Sequence, residues 1–160
     1  MKLYIVRHGQ CEWNALHKVC GSTDSPLTEK GRAQAAETAA LVAEMTKDQP
    51  LDLIIASPLS RALETGRAIQ AACGGIPLIT DDRIREIDFG DNEGRDTRDP
   101  DFQAEKRIFP CRHPNGESML GFTTASTAFW RISAPATPTR SFCWPATTAF
   151  AVPPIPTSTT

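Results

Sequence analysis

Arg7 and His8 close the apolar run LYIV and are followed at once by Gly9, while Ser57 and Arg61 follow a second apolar run, LDLIIA. Two arginines and a histidine suit phosphate chemistry. Each planar guanidinium stays charged at any relevant pH and can donate paired hydrogen bonds to a tetrahedral anion. An imidazole among them can act as nucleophile or as proton shuttle. A lone histidine at a strand end is more often a satisfied side chain, so the reading depends on elements that bring Arg61 to His8.

Those elements are legible as alternating strands and helices. KLYIVRHG predicts a strand buried on both faces of a parallel sheet. LTEKGRAQAAETAALVAEM places Ala35, Thr38, Ala39, Leu41, Val42 and Met45 at helical spacing, with Thr28 as N-cap and Glu29 in the first turn. Gly31 weakens that helix start by roughly 1 kcal/mol relative to alanine. LDLIIAS repeats the strand pattern and SPLSRALETGRAIQAA the helical one, with Ser57 as N-cap and Pro58 in the first helical position. IPLITDDRIREIDFG adds a short strand leading into a loop. Strand, helix, strand, helix, strand predicts an α/β fold with a mostly parallel sheet. In such sheets ligands gather beyond the carboxyl ends of the strands, where Arg7, His8, Ser57 and Arg61 fall together with helix N-termini that favour anions.

The chain of 160 residues carries a formal net charge of -2, which gives no general attraction for nucleic acid or an anionic membrane. Its five cysteines include no C-x-x-C pair, so a reduced compartment is expected. Charged residues arrive by position 7, leaving no room for a signal-peptide core, and no stretch reaches membrane-span length. A soluble, cytoplasmic protein is the expectation.

The segments VRHGQCEWN, DSPLTEKGRAQA, IIASPLSRALETG, REIDFGDNEG and PNGES, in this order, resemble the histidine phosphatase superfamily, with its three-layer phosphoglycerate mutase-like fold. The resemblance implies that His8 accepts a phosphoryl group as phosphohistidine and that Arg7 and Arg61 clamp its oxygens. It implies that Asn14 donates to the phosphate or substrate, that Thr23 sits at the pocket rim, and that Glu86 donates a proton to the leaving oxygen. Water would then hydrolyse the phosphohistidine, with no metal or organic cofactor. The implied partner is a small phosphorylated metabolite or inorganic phosphate. The DSPLTEKG loop and the short interval before PNGES look more like the phosphatase branch than the mutases, although mutase chemistry stays open, as does a truncated, inactive phosphate binder. His17 and His113 match no catalytic position and read as surface residues.

The likeness stops near residue 120, dividing the chain into a family-like domain, 1–120, and a tail, 121–160. The tail holds six prolines and fourteen serines or threonines, keeps only Arg131 and Arg140 as charges, and reads as incomplete or irregular structure. The family requires a second histidine late in the chain, and none follows His113. An incomplete sheet predicts exposed apolar surface and self-association. The break also predicts a shifted reading frame: whatever codons were used, the overlaps from Phe142 to Pro145 spell leucine, leucine, alanine. The overlaps that follow permit glycine, histidine, asparagine, glycine, a strand end of the kind that is missing.

Overall fold

The computed structural model describes residues 3–123 and 148–152. Strand β1 (Tyr4–Arg7) leads into a single helical turn, α1 (Glu12–Ala15), and then the long helix α2 (Glu29–Met45). Strand β2 (Leu53–Ala56), helix α3 (Ser60–Ala72) and strand β3 (Leu78–Thr80) follow. Two 3-10 turns (Asp82–Ile84 and Gly90–Asn92), helix α4 (Pro100–Lys106) and strand β4 (Thr148–Val152) complete the order. The sheet runs β1-β4-β2-β3. β2 pairs parallel with β3, and β4 pairs antiparallel with both β1 and β2, so three of the four strands share one direction. The fold is α/β, as the alternation of patterns predicts.

β4 is a correction. A proline-rich tail predicts irregular structure throughout, yet TAFAV lies clear of Pro145 and Pro153 and joins the sheet between β1 and β2. Its register sets Thr148 beside Arg7 and Val152 beside Leu53. Five residues without proline, three of them (Thr148, Phe150 and Val152) of β-forming type, suffice to satisfy the facing backbone groups of two strands.

The main core lies between the sheet and the helix pair α2–α3. Ala39, Val42, Leu51, Ile54 and Ile69 form it, with Tyr4, Val6 and Leu78 packed against it. Each large aliphatic side chain buried there contributes roughly 1.5–3 kcal/mol. β1 is covered on this face alone. Tyr4 and Val6 are half-buried while Ile5 is 43% exposed, which corrects the expectation of a strand buried on both faces. The reason is position: β1 is an edge strand, and its other face shares a row with Ile55 and Ile79 that, among the described residues, is packed by Ile84 from the first 3-10 turn.

Helix α2 starts as predicted, with the Thr28 hydroxyl accepting from the Gly31 N–H at 3.0 Å. Its buried stripe is Gly31, Ala35, Ala39 and Val42, continued past the helix end by Thr46. Leu41 and Met45, which share the helical spacing, point outward because this stripe steps past them. A Cβ on Gly31 would stand 2.0 Å from the Gln10 carbonyl, so glycine is what lets the helix touch the loop after β1. Helix α3 begins two residues later than predicted, at Ser60, and Ser57 does not cap it. Asp24, from the loop before α2, accepts instead from the Ser60 N–H at 2.9 Å and from its hydroxyl at 2.8 Å.

A second core, Val19, Ile87, Phe89, Phe102 and Phe122, binds the 3-10 turns to α4. His113 belongs here and is not a surface residue: it is 2% exposed, packs edge-on to Phe89, and has Nδ1 3.3 Å from Glu105 Oε2. His17 is exposed, as expected.

Candidate active site

His8 is the first residue after β1. Its Nδ1 lies 2.6 Å from the Gly9 carbonyl, an atom that can only accept, so Nδ1 carries the proton and Nε2 keeps its lone pair. Burial holds the imidazole pKa down to about 4; the Gly9 carbonyl opposes that shift, and the charges of Arg61 and Arg7 add to it. The ring is therefore neutral at neutral pH. A neutral imidazole with a fixed tautomer and a free nitrogen is a nucleophile already in its working form.

Arg61, in the first turn of α3, is fully buried. Nη1 donates to the Thr23 carbonyl at 3.0 Å and Nη2 to the Gly21 carbonyl at 2.7 Å. Nε is buried and has no hydrogen-bond partner among the described residues. Neutral carbonyls compensate a buried cation only in part, and an orphaned donor on it costs about 1–3 kcal/mol, so an anion is the fitting complement.

The loop that supplies those carbonyls is held by Glu93. Its Oε1 accepts from the Ser22 N–H at 2.7 Å and from the Phe89 N–H at 3.2 Å, and its Oε2 from the Thr23 N–H at 2.8 Å. Glu93 stands within the motif REIDFGDNEG, yet sequence reasoning gives it no role, because two of its three backbone partners, Ser22 and Thr23, lie 71 and 70 residues away. Gly21 allows the contact: a Cβ there would lie 2.2 Å from the Ile87 carbonyl.

The charges of Arg7 and Arg61 both act on the His8 ring, and Arg61 is bonded to the Thr23 carbonyl. Thr23 contributes its carbonyl to Arg61 while the residue itself is exposed. Asn14 lies half-buried in α1, whose start is pinned by the Trp13 N–H donating to Ser25 Oγ at 3.1 Å and the Glu12 N–H donating to the Pro26 carbonyl at 3.0 Å. Glu86 is half-buried between the two 3-10 turns, with Oε1 accepting from the Ile87 N–H at 3.2 Å. Among the described residues no cluster of three or more histidine, cysteine or acidic side chains could hold a metal ion, and no helix is long and apolar enough to cross a membrane.

A neutral histidine and an arginine at the end of β1, with a buried arginine from the start of α3 acting on the same ring, form a pocket whose charge suits an anion. The chain belongs to the histidine phosphatase superfamily (branch 1), whose pattern it matches over residues 3–140. It is 38% identical over 126 residues to a Yersinia pestis protein named "Probable phosphoglycerate mutase GpmB", covering 74% of this chain and 56% of that one. The chain thus spans little more than half the length of the curated relatives it matches. Among solved structures it is similar to a mycobacterial glucosyl-3-phosphoglycerate phosphatase complexed with VO3, at a TM-score of 0.67 and 32% identity, covering 84% of this chain and 70% of that one. It is similar also to the alpha-ribazole phosphatase of Shigella flexneri, at a TM-score of 0.63 and 28% identity, with coverages of 79% and 63%.

Proposed function

We propose that the chain descends from a phosphomonoesterase of small phosphorylated metabolites and carries the nucleophilic half of that site. The observation that carries this reading is the neutral, tautomer-fixed His8 beside Arg7 and the orphaned donor of Arg61. In the first step His8 Nε2 attacks phosphorus, an N–P bond forms, the bond from phosphorus to the substrate oxygen breaks, and Glu86 gives that oxygen its proton. Asn14, Arg7 and Arg61 hold the phosphoryl oxygens, with Thr23 at the rim. In the second step water adds to phosphorus as the Glu86 carboxylate takes its proton, the N–P bond breaks with its electron pair returning to His8 Nε2, and inorganic phosphate leaves. The residues invoked need no metal or organic cofactor for this sequence.

The absent second histidine predicts turnover reduced by roughly 10²-fold or more, the scale of losing one preorganised charge-stabilising donor. We further propose that the tail is a shifted reading of the strand and helix that would supply it; sequencing the source DNA decides this, and a histidine codon missing from the overlap of Ala146 and Thr147 would refute it. Mutase-type transfer is the second reading, favoured by the relative that bears that name. Turnover of p-nitrophenyl phosphate, with His8→Ala as control, tests the proposal: activity equal in the two proteins would overturn it, and a requirement for a bisphosphorylated primer would favour the mutase.

A further inference from the structure

Cys11 and Cys20 sit on either side of the α1 turn, with their sulfurs 3.9 Å apart and hydrogen-bonded. Cys11 is completely buried, in backbone pairing with Leu27, and Cys20 is half-buried. The two remaining described thiols have other settings: Cys73 closes α3, and Cys111 Sγ donates to the Arg112 carbonyl. Cys20 also adjoins the Arg61 cradle. Its thiol donates at 3.9 Å to the Thr23 carbonyl, which accepts from Arg61 Nη1, and its neighbour Gly21 supplies the other carbonyl of that cradle.

We propose that Cys11 and Cys20 form a reversible disulfide on exposure to a hydroperoxide, and that closing it displaces the carbonyls that hold Arg61. The sulfurs must approach by ~2 Å to reach bonding distance, a shift within reach of the loop from 20 to 23. Chemistry favours the pair. The Cys20 hydrogen bond and the Arg61 charge lower the Cys11 thiol below its ordinary range, while the bond to Cys11 and burial raise Cys20, so the two sulfurs share one readily lost proton. Cys20, half-buried where Cys11 is fully buried, is the member a peroxide can reach, and it reacts as its proton passes across the hydrogen bond to the Cys11 thiolate. Its sulfur attacks the O–O bond, forming a sulfenic acid and releasing one alcohol or water. Cys11 sulfur then attacks Cys20 sulfur, the S–OH bond breaks, and a second water leaves with the remaining thiol proton. Two thiols are oxidised and one peroxide is reduced.

The test uses the full chain treated with hydrogen peroxide, acid-quenched, alkylated and peptide-mapped, with turnover of p-nitrophenyl phosphate followed in parallel. The expected result is one peptide pair joined through Cys11 and Cys20, released by dithiothreitol and lost in Cys20→Ser. Turnover should fall by ~10-fold or more on oxidation, the scale of a misplacement of about 1 Å, and recover on reduction, while Cys20→Ser stays peroxide-insensitive. Both cysteines remaining alkylatable while Cys73 or Cys111 oxidises, or a link to Cys143, overturns the proposed pairing. A Cys11–Cys20 link with unchanged turnover overturns the coupling to Arg61. The effect on turnover rests on the phosphatase reading, but the peptide map does not, so a chain inactive in both states refutes that reading and leaves the disulfide decided by its map.

Discussion

At the scale of single residues, His8 and Glu93 carry the sharpest expectations. With the His8 pKa near 4, the acid limb of kcat/KM should break near pH 4, and a break near 6.5 would show that the ring is not desolvated as described. Stability follows the same shift. A histidine whose folded pKa lies below its unfolded value binds more protons when unfolded, so its contribution is full above about 6.5 and is lost as pH falls towards 4. The urea midpoint should therefore drop more steeply across that window in the wild type than in His8→Gln. Removing the Glu93 carboxylate strands the N–H groups of Ser22, Thr23 and Phe89, so Glu93→Ala should lose ~2 kcal/mol in denaturant unfolding and weaken vanadate binding at Arg61. Glu93→Gln, which keeps one accepting oxygen, should fall between. His8 was legible because it ends an apolar run; Glu93 was not, because its partners are backbone groups that no spacing rule connects to it.

At the scale of elements, Gly31 separates local propensity from tertiary contact. Propensity predicts that Gly31→Ala stabilises α2 by about 1 kcal/mol, whereas the 2.0 Å approach of the added Cβ to the Gln10 carbonyl predicts a net loss of ~1–3 kcal/mol. Thermal unfolding gives the sign. Strands β1, β2 and β3 and the two main helices could be read from apolar runs, from Thr28 and from the breaks at proline and glycine. The start of α3 could not, because its first N–H is satisfied by Asp24 from a distant loop and not by the adjacent Ser57. His113 was misread for a similar reason: a polar residue beside proline looks exposed until Phe89, Phe102 and Glu105 are folded around it. Apolar spacing likewise overcounted α2, since Leu41 and Met45 fit the period but not the face.

For the whole molecule, Ile5 and Ile79 share one face of the sheet and are 43% and 49% exposed. Light scattering should show mass rising with concentration, and Ile5→Lys with Ile79→Lys should suppress it; a monomer at all concentrations would assign that face no role in association. The order β1-β4-β2-β3 also has a consequence for how the protein is made. On the ribosome β1 emerges first and β4 last, yet they are neighbours in the finished sheet. Until Val152 clears the exit tunnel, Arg7 and Leu53 face a gap that no earlier described strand fills, and β1 and β2 each carry an open edge until β4 arrives. A chaperone that shields such edges would determine how much of each batch of chains reaches the folded state.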